Sequence, residues 1–219
     1  MLNKFILFAV IFVFSASIGL AQTTDDKHEF EVFVGYSNNQ VDFGSPDDSD
    51  LNNTFKSRQP FSGFEVSGVK NVSRFVGIKG DFSAQAKEIQ FSVPTDPDGT
   101  TSETVKITAS LYNFLGGVQF KDNRKESGRV RPFAHVLVGA AHARTRVKSF
   151  TGGLCDAEEV DCTDLKGGDT GFAAALGGGI DVKLNNRFSI RAIQADYNPT
   201  RLNGTTQHNF RFGVGVVFH

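Results

Sequence analysis

Cys155 and Cys162 enclose the acidic segment CDAEEVDC, and the pair offers two kinds of chemistry. In an exported chain with an even cysteine count, two nearby thiols close a local disulfide. With Asp156, Glu158, Glu159 or Asp161 they could instead hold a metal, but the spacing fits no zinc pattern. The carboxylates also miss the intervals of a calcium loop. The Cys155–Cys162 disulfide is therefore the expectation, with no metal. TDPDGT at 95–100 reads as a turn, since Pro97, Asp98 and Gly99 are turn formers. His135, His142 and His208 could act as a base for a serine nucleophile. QHNF at 207–210, however, follows its histidine with Asn209 and Phe210, and Ser110 and Ser189 have no histidine close in sequence. No catalytic set and no cofactor motif results, so the chain is expected not to be an enzyme and to need no cofactor.

The elements that would position these residues follow from composition and period. Lys+Arg 23 against Asp+Glu 24 gives a net charge of -1, which argues against a nucleic-acid partner. Met1 to Ala21 carries Lys4, the apolar stretch FILFAVIFVF and the small residues Gly19 and Ala21. This is the pattern of a cleaved signal peptide over 1–21. It leaves a short extension at 22–27 and a single domain at 28–219. After the leader no apolar run is long enough for a membrane helix.

Across 28–219 apolar residues recur at every second position, the period of a strand with two unlike faces. The last strand sets Phe210, Phe212, Val214, Val216 and Phe218 against Asn209, Arg211, Gly213, Gly215 and His219. The first sets Phe30, Val32, Val34 and Tyr36 against Glu31, Phe33, Gly35 and Ser37. Eight segments are expected, near 28–37, 61–70, 74–85, 104–120, 131–145, 171–183, 188–197 and 206–219. Strand four changes phase between Val105/Ile107 and Tyr112/Phe114, and strand seven puts Arg191 and Asp196 on opposite parities, so a bulge is expected in each.

Either face could be the buried one, and the loops decide. Connections alternate between long (38–60, 86–103, 146–170, 198–205) and short (71–73, 121–130, 184–187), as in transmembrane barrels. The expected fold is thus all-β, an eight-stranded antiparallel up-and-down transmembrane β-barrel preceded by a cleaved signal peptide. Its apolar face meets lipid, and Glu31, Glu65, Lys79, Asp81, Asp181, Arg191 and Arg211 form a charge network inside. A turn centred on Val72 would pair Gly68 with Val76 and Val66 with Ile78 outside, Glu65 with Lys79 and Gly63 with Asp81 inside. A turn near Asn186 would set Val182 against Ile190 and Asp181 against Arg191. Eight strands leave little lumen, and the inward glycines, Gly35, Gly179 and Gly215 among them, would relieve crowding. His135 is expected inside if Phe133 and Leu137 share its face.

The segments YNFLGGVQF at 112–120, RPFAHVLVGAA at 131–141, GFAAALGGGIDVKLNNRFSIR at 171–191, DYNPTR at 196–201 and the final FRFGVGVVFH carry a resemblance. On them the chain resembles the small outer-membrane β-barrel family related to the transmembrane domain of outer-membrane protein A. The resemblance spans 28–219 and implies a bacterial outer-membrane location, with outer-membrane lipid and, during biogenesis, the barrel-assembly machinery as partners. The terminal aromatic Phe218, with His219 appended, resembles the signal that machinery reads. The expected function is structural, or interaction with an extracellular partner through the acidic segments DFGSPDDSD at 42–50 and CDAEEVDC. The alternatives are a narrow channel for small solutes or ions, a lipid-modifying barrel enzyme, and a soluble eight-stranded ligand binder.

Overall fold

A computed structural model describes residues 28–42, 58–94, 102–125, 128–151 and 166–219. The leader, the extension at 22–27, Cys155 and Cys162 all lie outside these residues. Eight strands follow one another: β1 (Phe30–Asp42), β2 (Arg58–Asn71), β3 (Val76–Pro94), β4 (Ser102–Lys121), β5 (Val130–Thr151), β6 (Lys166–Lys183), β7 (Phe188–Leu202) and β8 (Thr205–Phe218). Each pairs antiparallel with its chain neighbour, and β1 closes on β8 from Val32↔Phe218 to Gln40↔Phe210, giving a closed barrel. Closure leaves no edge within the membrane, where each unpaired backbone group would cost several kcal/mol, roughly.

The two faces differ as the alternation requires. Outside stand Phe30, Val32, Val34 and Tyr36 on β1, Phe114 on β4, Phe172 and Leu176 on β6, and Phe212, Val214, Val216 and Phe218 on β8, all largely exposed. Phe210 shares that outer face and is half-buried. A wall of exposed aromatic and branched side chains is unfavourable in water but matches hydrocarbon.

Register corrects part of the sequence reading. On β2 and β3, Gly68 faces Gly80, Val66 faces Phe82, Glu65 faces Ser83, Gly63 faces Gln85 and Val69 faces Lys79. The pairing is displaced by four residues from the expected one because the turn is longer. The Ser73 hydroxyl accepts from the amides of Phe75 at 3.4 Å and Val76 at 3.1 Å, holding a loop centred on Arg74. An even displacement leaves every side chain on its expected face. The β6–β7 turn gives Val182↔Ile190 and Asp181↔Arg191, as expected, and β7 is bulged after Arg191.

Strand four differs. β3–β4 pairing runs without a break, and the irregularity lies in β4–β5 pairing between Lys106 and Ile107, where Lys148 of β5 is the extra residue. What changes along β4 is its surroundings. Below Tyr112 the outward residues are apolar, whereas above it Ser110, Thr108 and Lys106 point out and Leu111 and Ala109 pack inside. The outer medium passes there from lipid to water, and the polarity of the faces inverts.

The strands also outlast their expected ends. The connection expected over 198–205 is only Asn203-Gly204, with φ of 50° and 76°. Both values lie in the left-handed region that a two-residue type I′ hairpin needs and that glycine tolerates.

Candidate functional site

The lumen is built in layers. Glu31, Glu65, Lys79, Asp81, Asp181, Arg191 and Arg211 are all buried inside it. Lys121, Arg131, His135, Gln194 and Asp196 join them. Sequence reading left these out of the charge network. Lys121 stood at an expected strand end, and the β7 bulge hides the shared face of Arg191, Gln194 and Asp196.

At the short-turn end Lys121 bridges Glu31 and Asp181, the latter at 3.1 Å, while Arg191 Nε donates to Asp181 Oδ1 at 2.8 Å. The Arg191 guanidinium lies between two rings, 4.0 Å from the centre of Phe133 and 4.3 Å from that of Phe33. Those rings occupy space over Gly35, Gly215 and Gly179, where a Cβ would collide with them. Arg191 Nη1 then donates to Gln194 Oε1 at 2.8 Å, and Gln194 Nε2 donates to Glu65 at 3.0 Å, linking this layer to the next.

Arg211 is the hub of the middle layer. Its guanidinium donates to Asp81 at 2.7 Å, to Asp196 at 2.8 Å and to Ser83 at 3.2 Å, with Glu65 at 3.7 Å. Lys79 adds contacts to Asp81 at 3.2 Å and to Glu65 at 3.8 Å, across a register other than the expected direct pair. His135 shares its inward face with Phe133 and Leu137. Lys79 Nζ stands 3.4 Å from its Nδ1, and Asp196 lies 2.9 Å from its Nε2. Lys79 can only donate, so Nδ1 accepts from it and the ring proton sits on Nε2. Apart from Arg58 at the rim, five buried cations meet five buried anions among the described residues.

Above the charges the filling is apolar. Val41, Phe61, Leu111, Leu115, Leu137, Ala141, Ala173, Ala175 and Leu202 form one buried cluster at the long-loop end. On the β7–β8 side Asn39 Nδ2 donates to Asn198 Oδ1 at 3.2 Å, and Asn209 Nδ2 donates to Thr200 Oγ1 at 3.0 Å.

One constellation was invisible in sequence. Ser189 Oγ stands 2.8 Å from His219 Nε2, and His219 Nδ1 stands 3.5 Å from Glu31 Oε1. The order is that of nucleophile, base and carboxylate, assembled from β7, the terminal residue and β1. Ser189 is fully buried, and Lys121 engages the other Glu31 oxygen. His142 instead meets Thr170 at 2.7 Å, and His208 meets Tyr197, both on the outer face. No group of three metal-ligating side chains occurs among the described residues.

Beside His219, with ring centres 4.4 Å apart, His28 sits just ahead of β1. Burial foremost, then the His219 charge, pushes its pKa from 6.5 down to about 4. Between those values the unfolded chain binds more protons than the folded one, so stability falls as pH drops from about 6.5 toward 4. Urea titrations at pH 7.5 and pH 5 should give a lower midpoint at pH 5, and His28→Asn should shrink that difference.

A closed barrel with a lipid-type wall and a charge-paired centre is the arrangement of a small outer-membrane protein. Residues 6–218 match the family model described as outer membrane protein beta-barrel domain. The chain belongs to that family. It is an integral barrel of the bacterial outer membrane, surrounded by that membrane's lipid. Among solved structures it is similar to the attachment invasion locus protein Ail of Yersinia pestis. In the complex with the heparin analogue sucrose octasulfate the identity is 17%, with 86% of this chain and 97% of that chain covered and a TM-score of 0.53. A second structure of Ail gives 17% identity, 88% and 99% coverage and a TM-score of 0.50. The outer membrane protein OprG of Pseudomonas aeruginosa gives 12% identity, 90% and 98% coverage and a TM-score of 0.48. At such identities the likeness speaks to the fold. No curated protein matches the chain.

Proposed function

We propose that this outer-membrane barrel is a non-enzymatic, non-conducting scaffold whose long extracellular segments make its contacts. The observation that supports this best is the filled lumen, charge-paired in its lower part and apolar above, which leaves only the outer wall and loops for recognition. Ail bears attachment in its name and was solved with a heparin analogue. The segments that would act here, DFGSPDDSD and CDAEEVDC, are acidic and would repel a sulfated chain, so we read the partner as a cationic surface. The leader over 1–21 would be removed on export, the barrel-assembly machinery would insert the chain, and a Cys155–Cys162 bridge would restrain the longest loop.

Planar-bilayer recordings of the refolded protein should show no conductance steps, and immobilised heparin should not retain it. Regular openings would replace this reading with the narrow channel. The absence of enzymatic function has its own check. A buried Ser189 is not expected to react with a fluorophosphonate, and labelling lost in Ser189→Ala and His219→Ala would make the protein a hydrolase.

A further inference from the structure

The outer wall carries a feature that a purely lipid-facing surface would lack. Just above Tyr112, on the long-loop side of the apolar band, Thr108, Ser110, Tyr112, Arg144 and Arg146 line a recess of about 120 Å³. Pairing places Arg146 directly across from Thr108 and Arg144 across from Ser110, all on the outward face. Neither arginine has a hydrogen-bond or ion-pair partner among the described residues, and the Thr108 hydroxyl is buried without one. Glu88, on the neighbouring strand, accepts from Gln90 Nε2 at 3.3 Å. Two guanidinium groups, which can only donate, beside hydroxyls that can also donate form a donor-rich pocket, complementary to a tetrahedral anion with several acceptor oxygens.

Height along the wall selects the source of that anion. Phe114, Val118 and Phe120 cover β4 below the recess, Tyr112 stands at its floor, and the inversion of face polarity begins at Ser110. Aromatic side chains mark the lipid–water interface of such barrels, so the arginines lie at the headgroup level of the outer leaflet. We propose that this recess is a binding site for the phosphate of an outer-leaflet lipid, held by Arg144 and Arg146 with Ser110 and Thr108 as further donors. The site rests on the outward face meeting lipid, and it needs neither the loops nor a closed lumen.

The test uses the full mature chain folded in detergent and titrated with bisphosphorylated lipid A, with its dephosphorylated form and with inorganic phosphate. The bisphosphorylated lipid should bind, and the Arg144→Gln/Arg146→Gln variant should bind it at least about tenfold more weakly. Arg201→Gln, an exposed arginine on β7, should bind as the parent does. Ser110→Asp should weaken binding as the double variant does, by placing a carboxylate in the recess. Heat-modifiable gel migration, unchanged in each variant, shows that the barrel still folds. Unaltered affinity in the double variant would overturn the site. Equal affinity for the dephosphorylated lipid would overturn the phosphate assignment, and tight binding of inorganic phosphate alone would overturn the lipid one. If the wall did not face lipid, Val214→Arg would be tolerated, and that readout separates a failure of the membrane placement from a failure of the recess.

Discussion

Arg211→Ala is expected to destabilise the folded barrel by about 3–5 kcal/mol, the usual loss when one partner of a buried ion cluster is removed. The size follows from what remains. Asp81, Asp196 and Glu65 all face Arg211, and without it Lys79 is, among the described residues, the one cation left beside three carboxylates that water cannot reach. Urea titration of the protein folded into lipid vesicles reads the change, with loss of heat-modifiable migration as the extreme outcome. Arg211→Lys should be milder, because a lysine keeps the charge but cannot serve Asp81 and Asp196 with one planar fork. Adding Asp81→Asn and Asp196→Asn to Arg211→Ala should recover part of the stability, since the penalty comes from uncompensated charge. An Arg211→Ala protein as stable as its parent would mean that the charges lie in water.

Val214→Arg is expected to cost about 2–4 kcal/mol, the range for a basic residue facing lipid near the bilayer midplane. Val214 occupies the middle of the outward row Phe210, Phe212, Val214, Val216 and Phe218, and it is 46% exposed. An arginine on a water-facing wall would change stability within about ±0.5 kcal/mol. The same urea titration in vesicles, compared with Arg201→Ala at the rim, therefore distinguishes the two media. A Val214→Arg barrel that matches its parent would return the soluble ligand-binding barrel to consideration.

Which parts of this architecture the residues announce, and which they hide, has a physical basis. Alternation was legible because two media of opposite polarity act on the two sides of each strand. Glu65, Lys79 and Arg211 therefore read as one face wherever their strands slide by an even number of residues. The slide itself was not legible between β2 and β3, because it depends on one serine hydroxyl organising a turn. Along β4 the shift in pattern at Tyr112 was visible but has another cause. A bulge and a change of solvent produce the same parity signature, and only pairing tells them apart. The Ser189–His219 contact was hidden most fully, since the two residues, 30 apart in sequence, meet only through the β7–β8 register, and Glu31 joins them only when β1 closes on β8.

The seam between β1 and β8 has a consequence for how the molecule comes into being. The two partners of that ribbon are the first and last strands synthesised, so an incomplete chain would present two raw margins of amides and carbonyls to acyl tails. Nothing shorter than the whole sheet is a tolerable resident of the bilayer, and insertion is thereby deferred until the final strand is at hand.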